Sequence, residues 1–84
     1  MATRSQAESE ARAAILKMAD DWAKSPKTIH HAIKGYKTVI KSDPESEEAN
    51  KAREAMLGIA KDWEEGGDLY SAHDLYKGLL LPEF

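Results

Sequence analysis

The sequence contains no cysteine among its 84 residues. Disulfide bonds, thiolate metal sites and cysteine nucleophiles are therefore excluded. It also lacks any apolar run approaching the roughly 20 residues that a transmembrane helix needs. The N-terminal stretch MATRSQAESEARAA has no apolar segment of the kind found in a secretory signal. From these absences we expect a cytoplasmic protein.

No stretch of the chain concentrates charge of one sign. The 12 lysine and arginine residues are interleaved with 15 aspartate and glutamate residues, and the net charge is −3. A nucleic-acid-binding domain carries a concentrated basic face, and a membrane-binding segment carries a polybasic patch. We therefore expect neither nucleic acid nor a membrane as a partner.

No segment alternates apolar and polar residues as a β-strand does, and apolar residues recur instead at helical spacing. The pattern predicts an all-α protein of four helices. The predicted interruptions are Ser25-Pro26, Ser42-Asp43-Pro44 and Gly66-Gly67, and Pro82 is the predicted end of the fourth helix. The predicted N-terminal caps are Ser5 (in a capping box with Glu8), Ser25, Ser46 and Asp68.

Each predicted helix has one apolar stripe, which we expect to form the core. The stripe of the first helix is Ala7, Ala11, Ala14, Ile15, Met18 and Trp22. That of the second is Ile29, Ala32, Ile33, Tyr36, Val39 and Ile40. That of the third is Ala49, Ala52, Met56, Ile59, Ala60 and Trp63. That of the fourth is Leu69, Ala72, Leu75, Tyr76 and Leu79. Both tryptophans are thus expected to be core rings rather than ligand anchors.

The two halves of the chain resemble each other. Residues 18–22 (MADDW) align with residues 59–63 (IAKDW) at an offset of 41. In the following helices the offset is 40, and the matched pairs are Ala32 with Ala72, Tyr36 with Tyr76, and Ile40 with Leu80. Self-similarity at such a period is typical of a helical repeat array. A single hairpin cannot cover its own apolar face, whereas two stacked hairpins bury a shared one.

The residues that repeat also resemble a tetratricopeptide repeat. The second half matches that family through Ile59, Ala60, Trp63, Gly67-Asp68, Ala72, Tyr76 and Leu79. The first half matches through Met18, Ala19, Trp22, Ala32, Tyr36, Val39 and Pro44. The period of 40 or 41 residues departs from the usual 34, and two repeats are fewer than the three usually needed for stability.

The resemblance implies a fold and a function. The implied fold is a single domain, residues 1–84, of two stacked antiparallel helix hairpins that form a fragment of a right-handed superhelix. Repeat 1 would span about 5–44 and repeat 2 about 45–82. The implied function is a non-catalytic adaptor or scaffold that binds a peptide or protein segment in a groove between the first and third helices. Carried over by position, the groove residues are Ala13, Leu16, Asp20, Ala23, Leu57, Lys61 and Glu64.

The C-terminal residues form a second candidate surface, consisting of Leu79, Leu80, Leu81 and Phe84. Three consecutive leucines cannot all face inward from one helix. The tail therefore either folds back over the last hairpin or meets a partner or a second copy of the chain. A structural homodimer that closes this apolar edge is the alternative to the adaptor.

Residues suited to catalysis or metal binding are few. His30 and His31 are adjacent and point about 100° apart on a helix, so they do not readily share a metal ion, and His73 lies in the other half. No Glu-x-x-His pattern of the di-iron bundles is present. Gly66-Gly67-Asp68 lacks the lysine and hydroxyl residue of a phosphate loop. We expect no enzymatic activity, metal or cofactor, and a small enzyme or metal protein that uses the histidines is the least favoured alternative.

Overall fold

A computed structural model describes residues 3–81, which form four α-helices and contain no strand. The helices are α1 (Arg4–Trp22), α2 (Ile29–Ser42), α3 (Glu47–Glu65) and α4 (Leu69–Leu80). The prediction of an all-α fold is confirmed. The predicted stop at Pro82, and Phe84 of the predicted C-terminal edge, lie outside the described residues.

Side-chain caps begin three of the helices. The Oγ of Ser46 accepts a hydrogen bond from the backbone N–H of Ala49 at 3.1 Å, which confirms the predicted cap of α3. A carboxylate oxygen of Asp68 likewise accepts from the N–H of Ser71 at 3.3 Å at the start of α4. The prediction for α1 is wrong, because its capping box consists of Thr3 and Gln6. The Ser/Thr-x-x-Glu/Gln pattern occurs twice here, two residues apart, and the pattern alone does not choose between them.

The start of α2 was also predicted wrongly. Ser25 does not cap α2 and Pro26 does not open it, since the helix begins at Ile29 after a turn over residues 23–28. The Oγ1 of Thr28 donates instead to the carbonyl of Trp22 at 2.6 Å. This bond satisfies a carbonyl at the C-terminal end of α1, where helical partners are lacking.

The turn between α3 and α4 is tighter and behaves as predicted. Gly67 has a φ of 89°, a left-handed conformation that glycine adopts without a steric penalty. The N–H of Asp68 donates to the carbonyl of Trp63 at 2.8 Å, which closes the end of α3. The second hairpin therefore reverses direction over three residues, Gly66 to Asp68.

The helices pack in chain order. Within residues 3–81, α2 lies between α1 and α3, and α3 lies between α2 and α4. α1 also touches α3, whereas α4 packs against neither α1 nor α2. The hairpins α1/α2 and α3/α4 are thus stacked through α2 and α3, and α1 and α4 form the two ends of the stack.

Small residues allow the helices to approach closely around a few large side chains. Tyr36, Met56 and Val39 are the largest fully buried residues. Ala19 and Ala60, at matched positions of the two hairpins, are fully buried. Gly35 of α2 faces Ala19 so closely that a Cβ at Gly35 would lie 3.0 Å from the Cβ of Ala19. Close packing of α1 on α2 therefore depends on glycine at this position.

The core stripes predicted for α2, α3 and α4 are largely confirmed, whereas only Ile15 of the α1 stripe packs against the core. In α1, Met18 is 48% exposed and Trp22 is 38% exposed. The remaining exposed members of that stripe are Ala7, Ala11 and Ala14. Besides Ile15, the residues of α1 on the core side are Leu16 and Ala19, and the C-cap residue Ala23 also packs there. Leu69 of α4 is also exposed, contrary to prediction. The inner helices are covered on two sides and the end helices on one.

An ion pair links the first hairpin to the second. The Nε of Arg12 lies 3.1 Å from the Oε1 of Glu48, and both side chains are largely shielded from solvent. Ser9 also donates to that carboxylate oxygen at 3.2 Å. The hydrogen bond from Arg12 is the main reason that the pKa of Glu48 is lowered below its ordinary value.

We expect the stability contribution of Glu48 to disappear in acid. A carboxyl whose pKa is lower in the folded than in the unfolded state stabilises the fold above its unfolded pKa, about 4.3. That contribution is lost as the pH falls through the lower folded pKa. Glu48→Gln should therefore be less stable than the original chain at neutral pH, and the difference should shrink in acid.

Urea unfolding of both proteins, followed by circular dichroism at about pH 7 and about pH 3, measures this difference. Glu54→Gln is the matched control, because Glu54 is an exposed carboxylate on the same helix, and it should leave stability nearly unchanged at both values. A Glu48→Gln deficit of equal size at both pH values would contradict the role of the ion pair.

Candidate functional site

A groove runs between α2 and α4, with α3 as its floor. It exists because α4 does not pack against α2 in the described part of the chain. One concavity in it has a volume of about 200 Å³. Its lining residues are His30, Ile33, Lys37, Trp63, Ser71, Asp74 and Leu75. We call this surface the α2–α4 groove.

The groove continues toward the interhelical turns. A second concavity, of about 410 Å³, shares His30, Trp63 and Ser71 with the first. It extends to Ala23, Lys24, Pro26, Ile29, Asp62 and Asp68. The long turn over residues 23–28 forms part of this end, so the late start of α2 contributes to the shape of the groove.

Trp63 is the central side chain of the groove. It is half-buried, with one side packed against the core. Its ring centroid lies 6.4 Å from that of His30, and the two ring planes are tilted by 38°. The expectation that Trp63 is a core ring is therefore correct only for its inner side. The other side gives the groove a rigid aromatic surface, and tryptophan is enriched at the energetic centres of protein interfaces.

The walls of the groove carry charges of both signs. Lys37 lies on the α2 wall and Asp74 on the α4 wall. Lys24, Asp62 and Asp68 add further charges at the end near the turns. The groove thus combines an aromatic floor with charges of both signs along its walls.

The structure places the predicted groove residues of α1 and α3 in different environments. Leu16 and Ala23 pack against the core. Ala13, Leu57 and Lys61 are exposed. Of the seven predicted residues, Ala23 lines the α2–α4 groove, and the other six do not. A binding surface between α1 and α3 remains a prediction.

The two carboxylates of that predicted groove already have partners. The hydroxyl of Tyr36 donates to Asp20 at 2.5 Å, and the hydroxyl of Tyr76 donates to Glu64 at 2.7 Å. Burial, together with the bond to Asp20, raises the pKa of Tyr36 well above its ordinary value. The bond to Glu64 is the main reason that the pKa of Tyr76 is raised. Both phenols therefore stay protonated and hold the second helix of each hairpin to the first.

The C-terminal edge is largely open to solvent. Leu80 is 82% exposed, Leu81 is exposed and Leu79 is half-buried. These leucines border a concavity of about 380 Å³ that also includes Ile40, Pro44 and Arg53. A second exposed apolar patch lies at the start of α4, where Leu69, Tyr70 and His73 line a shallow depression. Tyr70 is 90% exposed, and the sequence prediction missed it because it lies outside the apolar stripe of α4.

The histidines lie in three separate surroundings. His31 contacts the ring of Trp22 at 5.6 Å between centroids, His30 contacts Trp63, and the Nδ1 of His73 lies 3.7 Å from Asp74. Among the described residues, no three side chains of histidine, cysteine, aspartate or glutamate are placed to hold a metal ion. None of the helices in residues 3–81 has the length and apolar character that crossing a membrane requires.

No family model, curated protein or solved structure matches this chain. The tetratricopeptide resemblance therefore stays a prediction based on the residues that carry it.

Proposed function

We propose that the chain is a non-catalytic adaptor or scaffold domain of the cytoplasm that binds a segment of another protein. The observation that carries the proposal is the α2–α4 groove, in which half-buried Trp63 lies between two helices that do not touch each other. The concavity around Trp63, Ile33 and Leu75 is lined by residues of helices, so little ordering is required on binding there.

The lining of the groove defines the ligand. Trp63, Ile33 and Leu75 supply apolar surface for one anchoring side chain, and Lys37 and Asp74 supply opposite charges on opposite walls. The ligand is accordingly a short segment with a large apolar residue flanked by charges of both signs. A groove between helices commonly accepts such a segment as a helix.

The surface between α1 and α3 is the less favoured location for the same function. Its carboxylates, Asp20 and Glu64, already accept hydrogen bonds from Tyr36 and Tyr76. A ligand that used these carboxylates would compete with bonds that hold the hairpins together. The central ring of the α2–α4 groove, Trp63, is held instead by packing against the core.

We expect a random peptide library displayed on phage to yield peptides that bind the chain and lose affinity for Ser71→Arg. Ser71 lines both concavities of the groove, and an arginine there would occupy the space above Trp63. The affinity should fall by at least about tenfold, which is about 1.4 kcal/mol. Fluorescence anisotropy of labelled peptides measures the affinity.

Thr38→Arg is the matched control for this experiment. Thr38 is an exposed hydroxyl residue of α2 that does not line the two concavities, so this variant should bind as the original chain does. Nuclear magnetic resonance then locates the site, because bound peptide should shift the indole N–H signal of Trp63 more than that of Trp22. Peptides that bind Ser71→Arg unchanged, or a library that yields no binder, would refute the proposed groove.

Self-association through the C-terminal edge is the second candidate function. The exposure of Leu80 favours it, because a leucine side chain that is mostly in water gains free energy when another apolar surface covers it. Exposed apolar patches of this kind commonly mark protein–protein contacts.

A further inference from the structure

The second helices of the two hairpins, α2 and α4, differ in how deeply one matched face is buried. Ile40 of α2 is only 5% exposed, whereas Leu80, its match in α4, is almost fully exposed. Ile33 packs against the core, whereas its match, His73, is exposed. The difference has a simple cause, since α2 is covered by α3 and no described helix covers α4 in the same way.

The first helices of the hairpins differ in the complementary way. Ala52, Ala55, Ile59 and Trp63 of α3 belong to the core or pack against it. The matching residues of α1, at an offset of 41, are all exposed: Ala11, Ala14, Met18 and Trp22. Trp63 of this α3 face contacts His30 of α2. On α1, Trp22 contacts His31 of α2 at the C-terminal end of the face, and none of the four residues packs against the core.

The exposed faces of α1 and α4 carry residue types that could pack against each other. α1 carries two alanines, one unbranched apolar side chain and a tryptophan, in the order in which two alanines, an isoleucine and a tryptophan occur on the core-packed face of α3. α4 presents Leu69 and Leu80 at the positions that Ile29 and Ile40 occupy in α2. The contact between α2 and α3 inside the chain is thus a template for a contact between α4 and α1 of different copies.

We propose that copies of this chain associate head to tail, with α1 of one copy packed on α4 of the next as α3 packs on α2. The inference rests on self-association as a function and names both halves of the interface. The template also predicts a ring contact: His30 and Trp63 correspond to Tyr70 of one copy and Trp22 of the next.

Head-to-tail contact joins two different surfaces, so an assembly of any length keeps a free α1 face at one end and a free α4 face at the other. The association is therefore open and grows with concentration, in contrast to a closed dimer in which α4 meets α4. This difference gives the experiment two distinguishable outcomes.

Sedimentation velocity of the 84-residue chain, from about 1 μM to about 1 mM, should show an average mass that rises from 9.3 kDa beyond that of a dimer. Leu80→Asp places a charge on the α4 face, and Met18→Asp places one on the α1 face. Each variant alone should remain a monomer, because a charged carboxylate is costly to bury in an apolar contact. An equimolar mixture retains one intact face of each kind and should form a heterodimer of twice the chain mass.

Thr38→Asp is the control, since Thr38 is an exposed residue of α2 outside both faces, and it should associate as the original chain does. Circular dichroism establishes that each variant is folded. A chain that stays monomeric at about 1 mM would overturn self-association altogether. A Met18→Asp variant that still dimerises by itself would overturn the head-to-tail arrangement and leave self-association through α4. Neither result bears on peptide binding in the α2–α4 groove, which Ser71→Arg tests separately.

Discussion

Replacing Tyr36 with alanine is expected to lower the free energy of unfolding by about 3–5 kcal/mol. Tyr36 is the largest fully buried side chain among the described residues, and its ring fills space that surrounding residues cannot close. The substitution also removes the hydrogen bond to Asp20. A domain of this size has a total stability of roughly 5–10 kcal/mol. The variant should therefore lose a large part of its stability and unfold at a markedly lower urea concentration.

Two further variants identify the source of this loss. Tyr36→Phe keeps the ring and removes only the hydroxyl, and it should cost about 1 kcal/mol. Tyr76→Ala makes the same change as Tyr36→Ala at the matched position of the second hairpin, where the ring is only half-buried, and its cost should be smaller. Equal losses for Tyr36→Ala and Tyr76→Ala in urea unfolding would contradict the difference in burial.

Met56→Ala is expected to cost about 2–5 kcal/mol, because it leaves a cavity in the centre of the core. Met56 is fully buried in α3, the helix that touches all three others. The same change at Met18 should cost less than about 1 kcal/mol, since that side chain is half-exposed and its removal leaves no enclosed cavity.

The comparison of the two methionines is made at low protein concentration, where copies do not associate. Urea unfolding of both variants and of the original chain gives the two differences in free energy. If Met18→Ala is as destabilising as Met56→Ala, then the face of α1 that carries Met18 is packed inside the chain and the proposed head-to-tail surface does not exist.

Much of the helical framework was predictable because its signals are local. The Ser46 and Asp68 caps and the left-handed Gly67 each depend on bonds or conformations within a few residues. The start of α2 was not predictable in this way. Ser25-Pro26 is a good helix opening by itself, but the chain there continues in a turn that Thr28 ties to the end of α1.

The candidate site was predictable only in part. From the sequence, Trp63 could be either a core ring or a ligand anchor. The choice depends on whether another helix covers the outer side of its ring. That is decided by the separation of α2 and α4, which leaves one side of the ring open. Residues from three helices form the groove, and no spacing along the chain indicates that they meet.

The sequence alone set the helical periodicity and the turn chemistry, because these depend on neighbours within one or two helical turns. It also showed the match between the two halves of the chain. It did not decide which apolar stripe is buried. α1 and α3 carry nearly the same stripe, yet Met18 and Trp22 are exposed while Ile59 and Trp63 pack on the core. Burial requires a second helix over that face, and the tertiary structure covers the face of α3 while leaving Met18 and Trp22 of α1 exposed.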